Sequence, residues 1–126
     1  MSKEIINTSK APAPIGPYNQ AVKANGTLYL SGQIALNSET GDLVNHSLEA
    51  ETHQVMRNIE AVLQAAGSDM SRIIKCSIFL KDLNNFNAVN TVYGSYFSEG
   101  NEPARECVEV SRLPKDVNVE ISVIAY

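Results

Sequence analysis

The spacing of apolar and polar positions changes several times along this chain, and each change marks an element. Residues 19–24 and 27–32 are short, half-apolar runs that read as strands. Asn25-Gly26 between them tolerates positive φ at both positions and predicts a hairpin. Thr40-Gly41-Asp42 marks a second turn. From residue 48 the period lengthens to that of a helix: Leu48, Thr52, Val55, Met56, Ile59, Val62, Leu63 and Ala66 recur at spacings of three and four. Ser47 or Asn45 is the expected N-cap, and Gly67 suits the left-handed position past the C-terminus. Glu51, Gln54, Asn58 and Gln64 are expected on the water-facing side. Residues 73–81 return to strand alternation, with Ile74, Cys76, Ile78 and Leu80 opposite Lys75, Ser77, Phe79 and Lys81. A second helix is predicted over 84–98, with Phe86, Val89, Tyr93, Tyr96 and Phe97 as its apolar stripe. Strands over 104–111 and 117–126, joined through Leu113-Pro114-Lys115-Asp116, close the chain.

The order strands, helix, strand, helix, strands predicts one α+β domain over residues 1–126, a mixed sheet with both helices on one face. Strand parity then suggests what lies on the other face. In the last strand Val117, Val119, Ile121, Val123 and Ala125 share one side, and Asn118, Glu120, Ser122, Ile124 and Tyr126 the other. If the helices take the valine side of both closing strands, Arg105, Cys107, Glu120 and Ser122 share the uncovered face. A sheet of this kind can leave one face to water. Cys107, Ile124, Leu28 and Leu30 suit a solvated face poorly, so that face is expected against another subunit.

Composition narrows the function. The 126 residues are 44% apolar and 19% charged, with a formal net charge of −4 and no basic run. This disfavours nucleic-acid partners and an anionic membrane surface. Residues 1–10 are polar, and no apolar run approaches the roughly 20 residues of a membrane span. With two cysteines, Cys76 and Cys107, the expectation is a cytoplasmic protein with free thiols.

Few residues carry candidate chemistry. His46 and His53 have no third ligand near in sequence, so no metal site is expected. Cys107 has no neighbouring histidine or helix start to activate it. Gly94 and Gly100 are isolated and form no phosphate loop. Arg105, beside Pro103 at the start of a strand, offers a planar fork that matches a carboxylate. Glu120 can hold or polarise a water. The two could equally form a structural salt bridge. Residues 11–17 hold three prolines and a glycine, a stiff loop able to fix Tyr18.

Pro103-Ala104-Arg105-Glu106-Cys107-Val108-Glu109-Val110, Leu113-Pro114-Lys115-Asp116 and Val119-Glu120-Ile121 resemble the RidA/YjgF family. Ala13-Pro14-Ile15-Gly16-Pro17-Tyr18, Leu30-Ser31-Gly32-Gln33-Ile34, Phe79-Leu80-Lys81-Asp82-Leu83 and Val89-Asn90 extend the resemblance over essentially the whole chain. It implies a fold similar to trimeric chorismate mutase, three subunits around an axis, and a site at each subunit interface. It also implies cofactor-free hydrolysis of reactive 2-imino or 2-enamino acids, such as 2-iminobutyrate and 2-iminopropionate, to 2-keto acids and ammonia. The alternative is a non-catalytic trimer that senses small carboxylates, or a chaperone or translation-inhibiting module. Arg105 would bind the substrate carboxylate, Glu120 would activate water, and Tyr18 would reach the cleft. Ser31, Gly32, Asn90 and Cys107 would line it. Two positions depart from the family pattern: Glu102 replaces an aromatic residue, and Glu106 a small one. Alternation points Glu106 away from Arg105, whereas Glu102 is expected to reshape the cleft rim.

Overall fold

Asn25 and Gly26 both adopt positive φ, 51° and 79°, and fold β2 (Ala21–Ala24) back on β3 (Thr27–Gln33). The computed structural model describes residues 2–126. It adds a strand that the polar N-terminal stretch concealed, β1 (Glu4–Ile6), paired antiparallel with β2. Helix α1 (Leu48–Ala65) begins at Ser47, whose hydroxyl accepts the Ala50 N–H at 3.0 Å. At its other end Gly67 turns left-handed (φ 75°), and the N–H groups of Gly67 and Ser68 close on the carbonyls of Gln64 and Leu63.

The second half is β4 (Ile73–Leu80), α2 (Phe86–Gly94), β5 (Ala104–Glu109) and β6 (Val119–Ala125). Helix α2 is shorter than its apolar stripe. A single 3-10 turn over Leu83–Asn85, capped by Asp82, precedes it. After Gly94 the chain tightens, with Ser95, Tyr96 and Phe97 each bonding three residues back. The sheet runs β1-β2-β3-β6-β4-β5, antiparallel throughout except for the parallel pair β4–β5. Both helices lie on one face. The core there joins Val55, Met56, Ile59, Val62 and Leu63 of α1 and Val89 and Tyr93 of α2 to Leu28, Cys76, Ile78, Ile121 and Val123 of the sheet.

Some expectations fail. At the start of β4 a register shift buries Ile73 and leaves Ile74, expected on the face of Cys76, exposed. Glu51 and Asn58 of α1 do not face water; they are 0% and 2% exposed. The Glu51 carboxylate accepts the N–H groups of Asn118 and Val119 and the Asn118 side-chain amide, at 2.8, 3.2 and 2.9 Å. Asn58 donates to the carbonyls of Ile34 and Leu36. Buried polar groups of α1 thus tie the helix to the ends of β3 and β6, each satisfied by partners far away in sequence.

A further failure concerns the faces. Register places Cys76 beside both Val123 and Arg105, and Ile78 beside both Ile121 and Cys107. Arg105 and Cys107 therefore lie on the helix-covered side. Val108 pairs with Phe79 and, through it, with Glu120 on the opposite side, where Val108 is 43% exposed. Leu28 and Leu30 belong to the core rather than to the open face. Val108 misleads because β5 is an edge strand, whose apolar residues need not face the core. The open face is still apolar in part: register sets Ile5, Val22, Tyr29 and Ile124 in one row across it.

Candidate active site

The open face carries one group of the expected residues. Glu120 is half-buried where β6 meets the irregular end of β3, between Leu30 and Gln33. Gly32 lies directly against it; a Cβ on Gly32 would overlap the Glu120 carboxylate. Glu120 has no hydrogen bond or ion pair among the described residues, and burial raises its pKa above the ordinary 4.5. Around it is a cavity of about 440 Å³ lined by Tyr18, Gly32, Ile34, Pro114, Lys115 and Glu120. Its walls are largely apolar, with Lys115 and Glu120 as its charged groups.

Tyr18 reaches this cavity because the proline-rich loop is clamped. Gln20 is 1% exposed, and its amide donates to the carbonyls of Thr8, Ala11 and Pro12 while accepting the Thr8 N–H. The Ser31 hydroxyl donates to the Asn19 carbonyl at 2.7 Å. Ser31 thus fixes the loop. Sequence reasoning missed Gln20, whose polar side chain next to a proline-rich stretch gave no sign of burial. On the far rim Lys115 and Asp116 both have positive φ, 55° and 56°, and Arg112 pairs with Asp116 at 2.7 Å. Two successive non-glycine residues in this region store strain that the surroundings must hold.

The second group lies across the sheet. Arg105 is exposed on β5, and its Nη1 donates to Asn90 Oδ1 at 2.5 Å. Its guanidinium carbon sits 5.4 Å from the Phe86 ring centre and 5.1 Å from that of Tyr93. A cavity of about 440 Å³ borders Arg105, Asn90, Tyr93 and Glu102. Cys107 borders a neighbouring opening with Phe86 and Asn87. Burial raises the Cys107 thiol pKa, against a smaller opposing pull from Arg105, which leaves it poorly suited to attack as a thiolate. Both cysteines are free thiols. Glu106 points away from Arg105, as alternation predicts: it pairs with Lys75 at 2.9 Å and accepts the Ser77 hydroxyl. Glu102 accepts the Gly100 N–H and lines the Arg105 cavity.

The expected residues therefore form two half-sites on opposite faces of one sheet, Tyr18/Gly32/Glu120 and Asn90/Arg105/Cys107. The Arg105–Glu120 salt bridge is not formed. Among the described residues no helix is long and apolar enough to cross a membrane.

A six-stranded mixed sheet with two helices on one face defines the structural class, a small α+β domain. Within that class the chain belongs to the RidA/YjgF family, whose model, described as Endoribonuclease L-PSP, matches residues 8–126. The solved structure of YyfA from Yersinia pestis, a protein of unknown function of the conserved Rid family, is 51% identical. It superposes with a TM-score of 0.95 over 98% of both chains. Reactive Intermediate Deaminase A, chloroplastic, of Arabidopsis thaliana is 44% identical over 99% of this chain and 66% of its own length. The structure of E. coli TdcF with bound serine is 40% identical, with a TM-score of 0.91 over 97% of each chain.

Proposed function

We propose that the protein is a cofactor-independent deaminase that hydrolyses 2-imino acids, and their 2-enamino tautomers, to 2-keto acids and ammonia. The observation that carries this reading is the division of the two half-sites between opposite faces of the sheet. Arg105 of one copy can meet Glu120 only of another, when the β5 edge of the first packs on the open face of the second. Such a contact joins two different surfaces, and repeated it builds either a closed ring or an open filament. The family resemblance supports a closed ring of three. The exposed Tyr29, Ile5 and Val108 of the open face would be covered in it.

In the assembled site the Arg105 fork binds the substrate carboxylate through two charge-assisted hydrogen bonds. The iminium carbon beside that carboxylate is already electrophilic, so orientation and a placed water supply most of what is needed. Glu120 takes a proton from the water as its oxygen bonds to that carbon, giving a carbinolamine. The proton then passes to the amine nitrogen. The hydroxyl proton returns to Glu120 as the C–N bond breaks and passes to the departing ammonia, which leaves as ammonium, and the 2-keto acid remains. The raised pKa of Glu120 suits this role, because a base works best when its pKa approaches the working pH. The deaminase named among the relatives and the serine bound to TdcF, which carries the same carboxylate, support the substrate class. The free thiols Cys76 and Cys107 suit a reducing compartment such as the cytoplasm.

The family model's description raises RNA cleavage instead. A net charge of −4 and a sequence with no basic run oppose binding of a polyanion.

The test is a coupled assay in which a threonine dehydratase releases 2-iminobutyrate and keto-acid formation is followed with and without this protein. Acceleration is expected. No acceleration, together with measurable binding of 2-oxobutanoate, would make the protein a carboxylate sensor. A stable monomer in light scattering at micromolar concentration would remove the shared site.

A further inference from the structure

Arg105 stands on an exposed edge strand, where a long side chain normally samples many rotamers and a ligand must freeze it on binding. Here it is already held. Phe86, Asn90 and Tyr93 stand four and three residues apart on α2, so they share one helix face. That face touches the guanidinium three times: two aromatic rings lie within about 5.5 Å of its central carbon, and Asn90 accepts from Nη1. Both ring distances fall within the range at which a cation is attracted to a ring face.

The cradle has a fixed floor. Tyr93 is 4% exposed and packs on Phe97 with ring centres 4.9 Å apart. Its hydroxyl is buried with no hydrogen-bond partner among the described residues. Cys76 holds the strand position directly beside Arg105. Tyr93 therefore belongs to the core and to the cradle at once. Phe86 is the half-buried wall. Asn90 takes one of the five guanidinium N–H donors, so the fork keeps donors free for a carboxylate.

We propose that Phe86 and Tyr93 are positioning residues for Arg105: with Asn90 they hold the guanidinium plane against α2, so that its free edge meets a substrate carboxylate in one orientation. The proposal rests on the carboxylate-binding role given to Arg105 above. The residues act on binding through Arg105 and leave the water-activating half-site untouched.

Phe86→Leu tests this, because it keeps an apolar side chain and removes the ring face; Phe86→Tyr restores the ring. The first readout needs no ligand. In NMR spectra of the wild-type protein the Arg105 δ and ε protons should be shifted upfield by the two rings, and Phe86→Leu should move them back toward unperturbed positions. The second is calorimetry with 2-oxobutanoate, together with the coupled assay. Phe86→Leu should weaken binding and raise KM by about five- to tenfold. Its kcat should stay within about twofold, and Phe86→Tyr should recover the affinity. A residue that merely fills the core would lower Tm without dividing KM from kcat in this way. Unshifted Arg105 protons in the wild type would overturn the proposal. So would a folded Phe86→Leu variant that binds 2-oxobutanoate as the wild type does. If the wild type binds no 2-oxobutanoate, the carboxylate assignment fails, and the NMR shifts alone decide whether the cradle exists.

Discussion

The two faces of the sheet treat their charged residues in opposite ways. On the helix side Arg105 is left exposed, yet it is gripped by two rings and an amide. On the open side Glu120 is half-buried, pressed against Gly32 and without a partner among the described residues, and its pKa rises because of burial. One half-site keeps a permanent charge available in a fixed orientation. The other keeps a carboxylate short of solvation and ready to take a proton. In the proposed reaction, binding and proton transfer would fall to different surfaces, and neither surface alone would suffice for hydrolysis.

Removing each group separately should produce the largest effects, of different kinds. Arg105→Ala should lose both 2-oxobutanoate binding and turnover, since each charge-assisted hydrogen bond is worth roughly 1.5–3 kcal/mol. Glu120→Gln keeps the shape of the side chain. Binding in calorimetry should survive while hydrolysis falls by about 100-fold or more in the coupled assay. A Glu120→Gln variant with wild-type turnover would end the division of labour.

Next comes Gly32→Ala. The added methyl would displace the Glu120 carboxylate, which can swing away because it is the end of a side chain. The variant should fold, bind 2-oxobutanoate normally and lose about tenfold in kcat. Unchanged kcat would mean that the place of Glu120 does not matter.

The pH dependence follows from the raised pKa of Glu120. Its base form is lost as pH falls through that raised value, so kcat/KM should drop on the acid side at a pH above the ordinary 4.5. In stability the sign is reversed. Protonated Glu120 is the form the fold favours, so its contribution is present below the ordinary value and disappears as pH rises through the raised one. Glu120→Gln should therefore melt above the wild type at neutral pH, and the difference should close below about pH 4.5. The smallest effect is expected from Cys107→Ser, which should keep activity within about fivefold. A loss as severe as that of Arg105→Ala would point to covalent catalysis by the thiol.

Much of this structure is legible in the sequence where the signal is local. The period and caps of α1, the Asn25-Gly26 hairpin and the alternation of β6 all emerge as read, because short-range geometry decides them. Arg105, Glu120 and Tyr18 stand out by their chemistry and setting as well as by motif resemblance, Gly32 and Asn90 by resemblance alone. Their arrangement does not, because parity relates residues within one strand, whereas the face of Arg105 depends on the parallel register of β5 with β4. The burial of Glu51 was equally hidden, since its partners lie 67 and 68 residues away. The three residues of β1 gain strand character only by pairing with β2. Phe86 and Tyr93 belong to the apolar stripe of α2, and only their contact with Arg105 points to a second role.

The claim that two copies share each site has a direct test. Arg105→Ala and Glu120→Gln chains, each nearly inactive alone, are unfolded, mixed in equal amounts and reassembled, and mass spectrometry verifies that mixed oligomers form. A boundary is intact when its Arg105 comes from one variant and its Glu120 from the other, about one boundary in four in a random ring. The account predicts recovery of about a quarter of wild-type deaminase activity. Mixed oligomers as inactive as their parents would contradict it.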